Sequence, residues 1–247
     1  MITPVLAPAT VPPGIRVYAI GDVHGCLDQL DALHDAIKDD MTRRNLPKMG
    51  DSGTIPVHLG DYIDRGPDSS GVIERLLAPF AVPPGVATPH VVNLMGNHEA
   101  MLLDALDGQR SSAEMWLANG GVASLQSWAV PPRTPPRKWA ALIPPAHQAF
   151  LRGLALLHQV GGYVFVHAGL RPGTPIAEQT RHDMLWIREP FLSSEQALGA
   201  VVVHGHTPEE PYPVVRTNRI GLDTGAVLGG VLSCVVLEGD TMAFLQA

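Results

Sequence analysis

The chain has 247 residues, enough for one large domain with a substantial core or at most two small ones. Hydrophobic residues make up 45% and charged residues 17%, a balance that excludes a disordered chain. The formal charge of -7, with no Lys/Arg-rich block, excludes nucleic-acid binding by phosphate neutralisation, so an anionic substrate would have to be met locally by metals and a few arginines.

Cys26 and Cys234 are the only cysteines and lie far apart in sequence, so no disulfide framework is expected and a cytoplasmic setting is the default. No run of about eighteen apolar residues exists, so no membrane span is expected. Residues 1–14 carry four prolines and no basic residue. They lack the basic start and apolar middle of a signal peptide and read as a loose Pro-rich arm.

The first strand is predicted over Arg16–Ile20, running into Gly21-Asp22-Val23-His24-Gly25. The following helix places Leu27, Leu30, Leu33, Ile37 and Met41 at helical spacing. Asp22 and His24 are two apart, so on extended backbone both side chains point to one side, a pairing that suits a hard-to-borderline divalent metal. A capping Asp beside a stray His would look the same in isolation. A polar loop is expected over 42–54, then a short buried strand over 55–59.

That strand meets Gly60-Asp61-Tyr62-Ile63-Asp64-Arg65-Gly66, on which the chain is organised. Two carboxylates and a guanidinium crowd a strand's carboxyl end, where open α/β sheets place their ligands. Such a turn taken alone is also compatible with a solvated acidic loop. The next helix carries Val72, Ile73, Leu76, Leu77 and Phe80, and prolines 79, 83 and 84 end it. A third strand is predicted over His90–Leu94, with Gly96-Asn97-His98-Glu99 at its end and a helix after it. Three strand ends in succession carry ligand-type residues and pass into helices, a βαβαβ pattern that aligns the chemistry on one edge of a parallel sheet.

Residues 108–160 are expected to form a helical insertion covering one side of the site. Ser111-Ser112-Ala113-Glu114 reads as a capping box opening a helix that closes at Asn119-Gly120-Gly121. Pro131–Arg137 reads as a rigid basic connector, and a second helix is predicted from Pro145 through Leu157. Strands return with Gly162–Val166 before His167-Ala168-Gly169, and Val201–Val203 before His204-Gly205-His206-Thr207-Pro208. Leu232–Leu237 and Met242–Leu245 read as a hairpin at the sheet edge.

In order, the motifs GDVHG, GDYIDRG, GNHE, VHAG and HGHTP resemble those of the calcineurin-like metallophosphoesterases, in the phosphoprotein-phosphatase branch that includes bacterial and bacteriophage lambda-type Ser/Thr phosphatases. The likeness runs from about Arg16 to the C-terminus. It implies an α/β fold, a two-sheet sandwich flanked by helices, with residues 15–247 as one catalytic domain. It further implies a two-metal site in which Asp22 and His24 hold the first ion, Asp61 bridges, and Asn97, His167 and His206 hold the second. His206 is the choice over His204 because the lambda-type ligand is the His of Gly-His-Thr. An O/N donor set suits Mn²⁺ first, with Fe or Zn²⁺ as alternatives.

The same resemblance implies direct attack on phosphorus by a metal-bridging hydroxide. His98 would protonate the leaving alkoxide, with Asp64 orienting His98. Arg65 and Arg188, the latter in Trp186-Ile187-Arg188, would clamp phosphate oxygens. The implied activity is hydrolysis of phosphoserine and phosphothreonine, with phosphotyrosine a further substrate, on a phosphoprotein or small phosphomonoester. No nucleic acid, membrane or regulatory subunit is implied. Only a short segment joins Asp223 to Leu232, so the longer regulatory loop of the large eukaryotic members is missing, which fits a stand-alone bacterial enzyme. The alternative is a symmetrical dinucleoside tetraphosphate hydrolase, whose pattern usually lacks the second Asp of GDYIDRG and has Asp after GNH; Asp64 and Glu99 point away from it.

Overall fold

The computed structural model describes residues 3–43, 53–209 and 213–247. Most of the loop expected over 42–54 lies outside the described residues. The chain runs through β1 (Val5–Leu6), β2 (Arg16–Ile20), α1 (Leu27–Arg43), β3 (Thr54–His58), α2 (Ser69–Leu77), β4 (Val92–Asn93) and α3 (Asn97–Leu106). Then come α4 (Arg110–Trp116), a kinked stretch Leu117–Gly121 broken at Gly120, α5 (Val122–Ser127), a 3-10 turn Pro136–Ala141 and α6 (Pro145–Arg152). The remainder comprises β5 (Leu157–Val160), β6 (Tyr163–Val166), α7 (Arg181–Trp186), β7 (Val201–His204), β8 (Val214–Val215), β9 (Arg219–Gly221), β10 (Ser233–Glu238) and β11 (Thr241–Gln246).

Two sheets form, ordered β1-β11-β10-β2-β3-β4 and β5-β6-β7-β9-β8. Strands β2, β3 and β4 pair in parallel, with Ile20 beside His58, and β6, β7 and β9 do the same in the second sheet. Parallel pairing brings the carboxyl ends of the strands in each sheet, and the loops that leave them, to one edge. Strand period divides the side chains between two cores. Val17, Ala19 and Val57 face Phe165, Val203 and Ile220 between the sheets. Tyr18 and Ile20 face the other way, against Leu30, Leu33 and Ile37 of α1. Each buried Leu or Ile on that helix stabilises by about 1.5–3 kcal/mol, so α1 is held by its apolar stripe.

Several expectations are corrected. The N-terminal arm is not loose: Val5 and Leu6 pair with Met242 and Thr241, Val11 is buried, and the Tyr163 hydroxyl donates to the Ala9 carbonyl at 2.8 Å. Its prolines cannot donate to a ladder, yet they leave enough backbone free for this short pairing. The C-terminal hairpin therefore lies between β1 and β2, and β1 is the edge. The third strand shrinks to Val92–Asn93, extended only by a bridge from Leu94 to Ala155.

The insertion differs most. Ser111–Glu114 lies inside α4 and caps nothing, because the chain turns at Gly108 and the Gln109 carbonyl accepts the first helical bond, from Ala113. Asn119-Gly120-Gly121 does end a helical stretch, as expected: Gly120, at φ 108°, breaks the helical path, and the chain restarts at once into α5. Helix α6 stops at Arg152, capped by Gly153, and Leu157 opens β5, which pairs with β6. The helical part thus ends before Leu157, and the last residues of 108–160 belong to the second sheet.

Candidate metal centre and its acid

The donors sit where strands end, on the loops that leave them or, for Asn97, at the first residue of α3, and several stretches of this backbone are bent into conformations that non-glycine residues seldom adopt. His24, Asp61, Asp64, Arg65 and His206 all have positive φ, between 45° and 75°. Strain of this kind costs about 1–3 kcal/mol per residue and persists where surrounding contacts over-determine it. Here the contacts are explicit. The Asp61 carbonyl accepts from the N–H groups of Val23 and His24, and Asp61 Oδ1 accepts from the His98 N–H at 3.1 Å. Gly60 packs so tightly on Gly96 that a Cβ would lie 2.5 Å from its nitrogen.

Glu99 ties two of these loops together. Its carboxylate accepts from the backbone N–H groups of Asp61, Tyr62 and Gly96, each at 2.8 Å. All of those partners donate, which is the setting of an ionised group, although burial and then Asp61 push its pKa upward.

Asp22, His24, Asp61, Asn97, His167 and His206 are all buried and all converge. His24 Nε2 lies 3.4 Å from Asp61 Oδ2, and His167 Nε2 lies 3.4 Å from Asp61 Oδ1. Asn97 Oδ1 sits 2.9 Å from His167 Nε2 and 3.0 Å from His206 Nδ1. Asp22 Oδ2 accepts the His206 N–H at 3.0 Å.

The fit to cations follows from proton accounting. His167 Nδ1 donates to the Leu59 carbonyl at 2.9 Å, which leaves Nε2 of the neutral ring as a lone pair facing the Asn97 and Asp61 oxygens. His24 Nδ1 donates to the Ile63 carbonyl at 2.8 Å, with the same result for its Nε2. Asp22 Oδ1 and His206 Nε2 are buried with no partner among the described residues. Lone pairs aimed at lone pairs, plus two orphaned buried atoms, are what a divalent ion would relieve. Burial lowers the pKa of His24 and His206 to about 3, keeping both rings as neutral ligands. Asp61 is held below the usual carboxylate range: burial opposes this, but the imidazoles of His167, His98, His24 and His206 outweigh it. Asp22 goes the other way, raised by burial, then by Asp223 and Asp61.

Two tight groups result, His24–Asp61–His98 and Asp61–His167–His206, with Asp61 common to both. Asp61, expected from sequence to bridge, is the residue common to both groups. His98 stands in the first group where Asp22 was expected, with its Nε2 3.9 Å from Asp61 Oδ2.

His98 is also the group with an acid's surroundings. Its Nδ1 donates to Asp64 Oδ2 at 2.6 Å, and its pKa is raised: burial lowers it, but Asp61 and Asp64 prevail. Asp64 is fully buried and takes two further donors that sequence reasoning missed, Trp116 Nε1 on Oδ2 at 2.7 Å and Ser124 Oγ on Oδ1 at 2.6 Å. Arg65, exposed, lies 3.0 Å from both His24 Nε2 and His98 Nε2 and donates to them while those nitrogens are unprotonated, so it has to swing off His98 Nε2 before that atom can carry an acid's proton. Arg188 is exposed, and its charge adds to burial in lowering the pKa values of His167 and His206, while Asp61 opposes both. His204, set aside in favour of His206, instead faces Arg219 and the Gly205 carbonyl.

A sandwich with this donor set at one edge defines a metallophosphoesterase, and the comparisons agree. Residues 15–230 match the calcineurin-like phosphoesterase family, to which the chain belongs. It is 28% identical over 239 residues to serine/threonine-protein phosphatase 1 of Salmonella typhimurium, covering 90% of this chain and 92% of that one. It is 29% identical over 164 residues to the symmetrical bis(5'-nucleosyl)-tetraphosphatase of Nitrosospira multiformis, covering 66% of this chain and 47% of that one. A crystal structure provisionally described as a diadenosine tetraphosphatase superposes with a TM-score of 0.64 at 24% identity, over 97% of this chain and 98% of that one. No helix among the described residues is long and apolar enough to cross a membrane.

Proposed function

We propose that this phosphoesterase is a metal-dependent phosphomonoesterase acting on phosphoserine and phosphothreonine, with phosphotyrosine esters as further substrates. Asp22, His24, Asp61, Asn97, His167 and His206 would hold two divalent ions, Mn²⁺ by preference. Those ions supply Lewis acidity and lower the pKa of water near neutral pH. Arg65 and Arg188 grip the phosphoryl oxygens, their planar forks matching the equatorial oxygens of the transition state. As water adds to phosphorus it releases a proton to solvent, from which His98 is afterwards reprotonated, and the ester P–O bond breaks with its electron pair going to the leaving oxygen. That oxygen takes the proton from His98 Nε2, while Asp64 holds the opposite ring nitrogen.

The observation that carries this reading is the 2.6 Å His98–Asp64 contact in a fully buried setting. A serine alkoxide is a poor leaving group and needs a proton as it departs. A nucleotide phosphate leaving from an anhydride needs far less help. The competing reading, a dinucleoside tetraphosphatase, is favoured by the names of two relatives. With Mn²⁺, kcat/KM measured on a phosphoserine peptide, 4-nitrophenyl phosphate and diadenosine tetraphosphate separates the two. The peptide is expected to be preferred by ~10-fold or more; preference for the tetraphosphate would overturn the proposal.

A further inference from the structure

The geometry points to Trp116 and Ser124, two residues of the helical insertion, as positioning residues that fix the acid through Asp64. This inference rests on the phosphomonoesterase reading above. Neither side chain is a metal donor, and both sit beyond the His98–Asp64 contact.

Asp64 has no exposure to solvent, so its charge is solvated only by what touches it. His98 Nδ1 and Trp116 Nε1 both donate to Oδ2, at 2.6 and 2.7 Å. Ser124 Oγ donates to Oδ1 at 2.6 Å and lies 2.8 Å from the Asp64 backbone nitrogen, whose N–H it accepts. Ser69 Oγ, 2.9 Å from Ser124 Oγ, closes the ring. The carboxylate plane is thereby fixed by donors on both oxygens, and the His98 ring is aimed by that plane.

The insertion is shaped to deliver these two groups. The chain kinks at Gly120 between Trp116 and Ser124, so the two residues lie on separate helical stretches and both reach Asp64. Gly120 sits at φ 108° and accepts the Arg65 N–H through its carbonyl at 3.2 Å. Gly121 has no side chain because a Cβ would lie 2.5 Å from the Trp116 indole. Trp116 is itself fully buried and packs edge-on to Trp139 at 5.2 Å, which leaves the indole N–H little freedom.

If these groups act by aiming the acid, their loss will be felt where the leaving group needs a proton. Trp116→Phe keeps the apolar body and removes the N–H; Ser124→Ala removes the other donor, with Ser124→Thr as the conservative control. kcat and KM are measured on a phosphoserine peptide and on 4-nitrophenyl phosphate, whose phenolate leaves readily. Trp116→Phe is expected to lower the peptide-to-aryl kcat ratio by ~10-fold with KM on each within ~2-fold. Ser124→Ala should shift it the same way and Ser124→Thr restore it. In a His98→Asn background neither change should lower kcat further.

An unchanged ratio in both variants, or losses that add to that of His98→Asn, would overturn the inference while leaving the phosphatase reading intact. A wild-type enzyme inactive on both esters would remove the reading and the inference together.

Discussion

The floor of the site and its wall are built on opposite principles. The floor consists of loops leaving β2, β3, β4, β6 and β7, lined with buried polar groups, and those after β2, β3 and β7 are bent into unusual backbone conformations. The wall, contributed by α4 and α5, is an ordinary packed surface in which Trp116 packs edge-on to Trp139. The floor carries every proposed metal donor, while the wall touches it through Asp64 and, at Gly120, through Arg65. Donor identity is thus confined to strand ends, where geometry is rigid, and acid placement is delegated to a helical module that can vary independently.

The sharpest way to break that division is His98→Asn. If His98 is the acid, turnover of alkyl phosphates falls by ~10²–10⁴-fold while metal content, read by elemental analysis, stays at the wild-type level. Loss of metal instead would make His98 a donor, as its 3.9 Å approach to Asp61 permits, and would move it from acid to ligand. A smaller effect is expected at the seam between the two regions. Gly120→Ala places a Cβ 2.7 Å from Arg65 Cγ at a positive φ, so Arg65 must shift. KM for a phosphomonoester should rise ~10-fold, with a stability loss of about 1–3 kcal/mol in urea unfolding.

The smallest effect lies outside both regions and tests whether the strained floor alone accounts for acid lability. His34 of α1 and His58 of β3 meet through their Nε2 atoms at 3.0 Å, and His58 Nδ1 faces Asn93 Oδ1 at 2.8 Å. His58 therefore donates to Asn93 and accepts from His34, both rings being neutral. They border a cleft of about 120 Å³ that holds none of the six proposed donors. Burial, with Arg75, lowers His34 to about 4; burial, with His34, lowers His58 to about 3. Below 6.5 the unfolded chain binds protons that the folded chain refuses, so stability falls as pH drops from 6.5 toward 4 and is unaffected above. Each group contributes at most about 1.4 kcal/mol per pH unit. His34→Gln, which keeps a donor for His58, should flatten the slope of the urea midpoint against pH by one group's share; an unchanged slope would clear the pair.

The floor was legible in sequence because its signals are local. An apolar run, a glycine and a ligand-type residue define a strand end, and Asp22, His24, Asp61, Asn97, His167 and His206 all sit where such runs stop. The wall was legible only in part, because its contacts to the site are not local. The stop at Asn119-Gly120-Gly121 is legible and real, but no local pattern shows that Trp116 and Ser124, on helices either side of it, converge on Asp64. Leu157 reads as the last apolar residue of a helix because its pairing with Val166 is a tertiary fact. The partner of the N-terminal arm is β11, at the far end of the chain, which no local pattern reveals.

Glu99 has a consequence for assembly of the enzyme. One side chain on the first turn of α3 grasps the amides of two neighbouring loops, so the span from Asp61 to Asn97 is set by covalent bond lengths and three short contacts. The pocket is in this sense cast before anything is poured into it. Its selectivity among cations will then come from how well each tolerates a cradle that does not yield.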